Sequence, residues 1–336
     1  MGKQRDYWFD NAKFILIVAV ILGHCLTRLG EGNSCEVAND AMVFFRMPLF
    51  IFMSGYFSKK MEWHRFWGIM LGVLETYLIM SVLHIGYNML DGDKFSIMQI
   101  IEPRWTLWYL LCIVFWRLII QLCAGHISSW GMLVISIVVG IISGFVPLYS
   151  VLSLQRAFSM APFFMLGYYC RCEELDLRFI KRLHPSVVVV AIVLLCIFVS
   201  KVVFPYTLFF SGRFPYYYFD SYPLWLTPII RLIGYVVSVA ISICIMRLIP
   251  EKQSWISSEG MNTLFYYIYH PFLIIGLCFV DRYIELPSSL IAVLIYTLAI
   301  VFIIWVLIKI PFFRDLPRLF TKLYTMLHSR TCSKND

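Results

Sequence analysis

Charge is scarce in this sequence. Of its 336 residues only 14% are Asp, Glu, Lys or Arg, against about 25% in an ordinary soluble domain. No polar stretch is long enough to form a soluble domain of ordinary size, about 100 residues or more. The ten cysteines are scattered. They form neither a CxxC pair nor a His/Cys cluster of zinc spacing, which removes the usual metal and dithiol signatures and leaves them as small apolar residues. A glycine-rich phosphate loop is missing, so nothing resembles a soluble nucleotide cradle. Internal repeats, low-complexity tracts and Pro/Gly linkers are missing too. What fills the chain is apolar: 60% hydrophobic residues and a mean hydropathy of +0.78, the composition of an integral membrane protein.

Runs of about 20 apolar residues match a hydrocarbon core of about 30 Å. Such runs are expected at Asn11–Leu29, Ala41–Phe57, Phe66–Leu90, Trp105–Ala124, Trp130–Leu148, Leu154–Cys170, Pro185–Phe204, Leu224–Leu248, Thr263–Val280 and Ser288–Ile310. The expected fold is therefore an all-α bundle of about ten transmembrane helices, residues 1–310, followed by a basic tail, residues 311–336. Lys3 and Arg5 precede the first run as in a signal peptide, but no small-x-small cleavage site follows Cys25, so that helix is expected to be retained.

Cations collect in alternate connections: Lys59, Lys60 and Arg65, then Arg171, Arg178, Lys181 and Arg182, then Arg247 and Lys252, then Arg314, Arg318, Lys322 and Arg330. The other connections hold Glu31, Glu36 and Asp40, or Asp91 and Asp93, or Asp281 and Glu285. The positive-inside rule places the cationic side, and both termini, in the cytoplasm. The net charge of +8 is then topology and contact with lipid headgroups, and gives no reason to expect nucleic acid. The connection Ser200–Pro223 is rich in Tyr and Phe. It reads as an aromatic belt at the outer interface, with a stacking surface for a sugar as the functional alternative.

Ionisable side chains within the apolar runs are the informative exception, because each costs about 2.5 to 3.5 kcal/mol on insertion scales. His24, Arg46, Glu75, His84, Arg156, Arg231 and His270 all fall inside runs, which suggests a polar cavity within the bundle. Eleven residues separate Lys13 from His24, an offset that returns to nearly the same helix face about 16 Å further along the axis. Asp10, Lys13, Ile17, Ile21, His24 and Arg28 thus form one stripe. Glu259, as the last cytoplasmic charge of the ninth helix, and His270 repeat the offset, through Thr263 and Tyr266. Counted from the outer side, Arg46 and Arg156 reach the depth of the two histidines. Arg231, Tyr235, Ser238 and Ser242 make a further stripe. Glu75 is a candidate partner for one of the arginines, and His84, on the far side of its helix, reads as structural. For the arginines and Glu75, interhelical ion pairs are the competing interpretation.

Taken in order, the segments RDYWFDNAKFILIVAVILGH, FFRMPLFIFMSGYF, RWTLWYLLCIVF, QRAFSMAPFFMLGYYCR and FYYIYHPFL resemble the membrane acyltransferase 3 family over nearly the full chain, and within it the fucose 4-O-acetylase-like branch. The resemblance implies transfer of an acyl group, commonly acetyl, from a cytoplasmic acyl-CoA such as acetyl-CoA to a sugar hydroxyl of a surface polysaccharide, free or lipid-linked, at the bacterial plasma membrane. It also implies a basic residue and, after ten intervening positions, an essential histidine; here these match Lys13 and His24. Lysine stands where the family often has arginine, which keeps the charge and loses the bidentate fork. No hydrolase-like domain is expected beyond the tenth run, so the acceptor falls to the membrane domain or a partner.

Thioester chemistry needs a base for the alcohol, donors for the oxyanion and a route for an anionic donor. His24 is assigned as base, with a transient acetyl-histidine as the competing route. His270, Arg46 and Arg156 are candidates to orient the acceptor or hold the oxyanion. Lys13, Lys59, Lys60 and Arg65 are candidates for the phosphates of CoA, and no metal is expected. Ser54 and Gly55 are expected to permit close helix packing. Two other classes compete: a transporter or flippase for a glycan precursor or small solute, built around the same polar cavity, and a structural subunit of a glycan assembly.

Overall fold

The computed structural model describes residues 6–90, 94, 96, 98–103, 105–148, 151–198, 207–219, 223–319 and 321. Lys3, Arg5, Asp91, Asp93, Ser150, Lys322 and Arg330 lie outside the described residues, as do 199–206 and 220–222 of the aromatic connection.

Every regular element among the described residues is a helix: α1 (Tyr7–Leu29), α2 (Asn33–Val43), α3 (Arg46–Tyr56), α4 (Trp63–Leu90), α5 (Met98–Ile101), α6 (Trp108–Cys123), α7 (Ser129–Ile142) and α8 (Leu154–Cys172) lead the chain. They are followed by α9 (Pro185–Phe198), α10 (Thr207–Phe210), α11 (Thr227–Leu248), α12 (Trp255–Glu259), α13 (Thr263–Ile284), α14 (Leu290–Leu307) and α15 (Pro311–Asp315). Each expected apolar run overlaps one of these helices, but length and composition qualify 6 of them as membrane spans: α1, α2 with α3, α4, α11, α13 and α14. Among the described residues the count stays below ten for two physical reasons. Helices α6 and α7 have 16 and 14 residues, short of the roughly 20 a bilayer core requires, and α9 is described only as far as Phe198. Helix α8 is long enough, yet Gln155, Arg156 and Ser159 make it too polar. Lipid-facing surface is supplied by exposed Leu, Ile, Val and Phe, densest on α4, α7, α9 and α14. The chain is a multi-pass membrane protein.

Apolar side chains gain little by leaving lipid for a helix interface, so close packing and buried hydrogen bonds must hold the bundle. Helices α3 and α8 pack through two glycines. A Cβ on Gly55 would lie 1.9 Å from the Phe164 carbonyl oxygen, and one on Gly167 2.0 Å from that of Phe52. Gly55 thus has the packing role expected of it. Ser54 has another, since its hydroxyl meets that of Tyr109 at 2.5 Å.

Helix α1 is the central pillar, packed on α2, α3, α12, α13 and α14. Asp6 caps it, accepting from the Trp8 amide at 3.1 Å. Fully buried Asn11 fastens it to the connection before α12 and to α12 itself. Its amide donates to the carbonyls of Pro250 and Lys252 at 2.8 and 3.0 Å, and its oxygen accepts from Ser257 at 2.6 Å. Gly260 completes the approach, with room for no Cβ against the Asp10 carbonyl, 2.0 Å away.

Two expectations are corrected here, and a third is refined. Glu75 pairs with the C-terminal segment instead of an arginine, accepting from the backbone N–H of Thr321 at 3.0 Å and from its hydroxyl. Glu259 and His270 do not share a helix, because a turn at Gly260–Asn262 separates α12 from α13. In its described part, residues 207–219, the aromatic connection contributes packed side chains as well as exposed ones. Phe209 and Tyr216 are buried, and the Tyr216 hydroxyl donates to Ile141 O at 2.9 Å while its ring fills the space beside Gly144. Tyr217 and Tyr218 remain exposed.

Candidate active site

The stripe along α1 connects two cavities. Near its start, Lys13 pairs with Asp10 at 2.7 Å, lies 5.6 Å from the Phe57 ring, and lines a cavity of about 330 Å³ with Ser54, Tyr109, Arg117 and Tyr267. Eleven residues on, His24 lines a larger cavity of about 740 Å³ with Arg28, Trp105, Gln155, Arg156 and Arg213. A space of about 100 Å³ lies between, bounded by His24, Arg46, Thr106, Arg156 and Tyr267. Tyr267 therefore borders the first two cavities, and His24 and Arg156 border the last two. Three cavities in series follow α1 from Lys13 to beyond His24.

The two histidines meet at the centre. Their rings stack with centroids 5.4 Å apart and an interplanar angle of 29°. His270 is fully buried; its Nδ1 lies 2.8 Å from the Tyr266 carbonyl, and its Nε2 has no hydrogen-bond partner. A carbonyl only accepts, so Nδ1 carries a proton, and in the neutral form of the ring Nε2 is then a bare lone pair. Tyr266 relays the position of this ring to α12: its hydroxyl donates to Glu259 Oε2 at 3.0 Å. The fastening of Asn11 to the α12 region thus also sets His24 against His270.

Both arginines enter at the first turns of their helices. The break at Phe44–Phe45 ends α2 and starts α3 on Arg46. The Arg46 side chain crosses α1 at Gly23, where an added Cβ would lie 1.4 Å from its Nη1, and that Nη1 donates to Asn39 Oδ1 at 3.0 Å. A glycine immediately before the histidine is what lets a guanidinium lie beside the imidazole. Arg156 stacks 4.8 Å above the Trp108 ring, and its Nε has no partner.

The remaining expected residues are dispersed. Lys59, Lys60 and Arg65 are exposed in and just after the α3–α4 connection, at the Lys13 end; Lys60 donates to Ala124 O at 2.7 Å and so caps the C-terminus of α6. Arg231 is buried away from the histidines, bonded to Gly140 O at 3.2 Å and stacked 4.6 Å from the Tyr216 ring. His84 packs on Phe272 with ring centroids 4.3 Å apart.

Several lining residues escaped the sequence reading. Tyr109 and Tyr267, with centroids 5.5 Å apart, stand between the Lys13 cavity and the histidines. Tyrosine is too common at membrane interfaces to stand out by type. Arg117 did carry a signal, a cation within the apolar run Leu110–Ile120, and it lines the Lys13 cavity.

No curated protein and no solved structure matches the chain. A family model does: that of acyltransferase 3, described as an acyltransferase domain, matches residues 6–309, a range holding all three cavities and both histidines. The chain belongs to the membrane acyltransferase 3 family.

Proposed function

We propose that the protein moves a short acyl group, acetyl in the first instance, from a cytoplasmic acyl-CoA to a sugar hydroxyl of a surface glycan or its precursor, with His24 as general base. The observation that carries this reading is the series of cavities with a stacked histidine pair at its middle. A donor arm and an acceptor entering from opposite ends would meet there. In this arrangement both termini are cytoplasmic. The phosphates of CoA stay near Lys13, with Lys59, Lys60 and Arg65 flanking, and the thioester reaches past Tyr109 and Tyr267.

The chemistry balances on this chain's own groups. A ring nitrogen of His24 takes the hydroxyl proton as the sugar oxygen attacks the thioester carbonyl. Arg46 and Arg156, bordering the same space, stabilise the oxyanion. The C–S bond then breaks, and the departing thiolate of CoA takes the proton back from His24. The bare Nε2 of His270 orients the acceptor by accepting from a neighbouring hydroxyl. A covalent acetyl-imidazole on His24, opened by the sugar in a second step, gives the same products.

Purified full-length protein, given acetyl-CoA and glycan acceptors, should release CoA and add an acetyl mass to the sugar. For His24→Ala the expected loss of transfer is about 10²- to 10⁴-fold, with a protein that still runs as one species; full activity in that variant would refute the assignment. His270→Ala should remain folded and lose most transfer. Vesicle uptake of an unmodified glycan without consumption of acetyl-CoA would favour the transporter instead.

A further inference from the structure

The cavity of about 740 Å³ has a charge pattern that the acyl-transfer reading does not require. Its lining carries three guanidinium groups, Arg28, Arg156 and Arg213, against one carboxylate, Glu102, among the described residues. Among those residues no carboxylate stands within ion-pair distance of the three arginines. Each guanidinium is instead stacked on an aromatic ring: Arg28 at 4.4 Å over Trp105, Arg156 at 4.8 Å over Trp108, Arg213 at 5.2 Å over Phe214. Stacking occupies the face of the guanidinium and leaves its in-plane N–H donors available, the geometry in which arginine grips carboxylate or phosphate oxygens. Arg156 has such a donor without a partner, its buried Nε.

Two further observations point the same way. Arg156 is the third residue of α8, and the positive end of a helix dipole disfavours a cation there unless an anion joins it. The backbone bordering the cavity is also held in costly conformations: Trp105, Leu152 and Ser153 have φ of 54°, 48° and 56°. Strain of this kind persists where the surroundings enforce it, and it gathers at ligand sites. A cleft of about 740 Å³ is the size of a small-ligand site, and low-dielectric walls focus the field of its cations.

We infer that the acceptor entering the 740 Å³ cavity is an anionic sugar, one whose carboxylate or phosphate is held by Arg28, Arg156 and Arg213 while its hydroxyl faces His24. This rests on the acyl-transfer reading only for the word acceptor; the anion site can be tested by binding alone.

The experiment titrates full-length protein in lipid nanodiscs with glucose, glucuronic acid, glucose 1-phosphate and inorganic phosphate. At least one charged sugar should bind about tenfold or more tighter than glucose. That advantage should shrink when ionic strength rises from about 0.05 to about 0.5 M, and should be lost in Arg213→Gln and in Arg28→Gln. Preference for glucuronic acid assigns a carboxylate, and preference for glucose 1-phosphate a phosphate. Equal affinity for all three sugars overturns the inference. So does inorganic phosphate matching glucose 1-phosphate, since the sugar would then contribute nothing. Full displacement of the charged sugar by adenosine 3′,5′-bisphosphate also overturns it, because the cavity would then belong to the CoA nucleotide. The salt and competition arms use unaltered protein, so a variant that fails to fold does not shield the inference. Anion binding without any acetyl transfer would sink the proposed function and leave the anion site standing.

Discussion

At the scale of single residues, the site depends on what is small as much as on what is charged. Gly23 gives Arg46 its place beside His24, and the atom an added methyl would strike is the far end of a flexible side chain. Gly23→Ala should therefore fold with little change in Tm while transfer falls about tenfold or more, because the arginine must leave the reaction centre. A thermal melt and a turnover assay on one preparation test both halves, and retained activity would remove Arg46 from the mechanism. Lys13→Met should raise KM for acetyl-CoA with a smaller effect on kcat, and Lys13→Arg should restore it. Unchanged KM in Lys13→Met would dissociate this lysine from the donor. The charged residues of the centre were legible in the sequence because charge in an apolar run is costly enough to need a reason. The Lys13–His24 register was legible because a helix repeats. Asn11, Tyr109 and Tyr267 were not, since amide and phenol side chains at such positions look the same whether they pack, hydrogen-bond or line a cavity.

Among the elements, hydropathy located the helices and missed where they break. The interruption at Phe44–Phe45 carries no proline and no drop in hydropathy large enough to mark it; the polar stretch before Thr263 does mark the start of α13, but not the turn at Gly260–Asn262 that takes Glu259 off its face. The first nevertheless starts α3 on Arg46, and the second turns α13 so that His270 faces His24. Helix registration depends on contacts distant in sequence, which periodicity within one helix does not encode. Gly167→Ala should push α8 from α3, because the added Cβ meets fixed backbone at Phe52 and Tyr56; a loss of about 1–3 kcal/mol is expected for such overpacking. Asn11→Ala should cost about 1–3 kcal/mol by removing from a fully buried position the side chain that bonds Pro250 O, Lys252 O and Ser257 Oγ, and should also lower transfer, since α1 loses its fastening to α12. A variant with normal Tm and normal transfer would show that this fastening is redundant.

For the whole molecule, the proposed arrangement has a direction. In that proposal the donor and acceptor cavities lie toward opposite ends of α1, so cysteines introduced at Lys59 and at Ser96 should react with a membrane-impermeant maleimide from opposite sides of sealed vesicles, Lys59→Cys from the cytoplasmic side. Labelling of both from one side would refute the sidedness that the cation distribution implies. The C-terminal segment adds a consequence of another kind. Beyond α14 the chain turns back: Tyr269 donates to the Phe313 carbonyl at 2.5 Å, Thr76 to that of Pro317 at 3.1 Å, and Glu75 receives Thr321. These donors and acceptors belong to α4 and α13, and Tyr269 is the residue immediately before His270. Anyone trimming the chain at the hydropathy boundary near Ile310, to make a shorter protein for crystals or microscopy, would strip a buried carboxylate of its donors and loosen the helix that carries the second histidine. The packed unit of this protein extends past α14, which ends at Leu307, by at least fourteen residues, to Thr321.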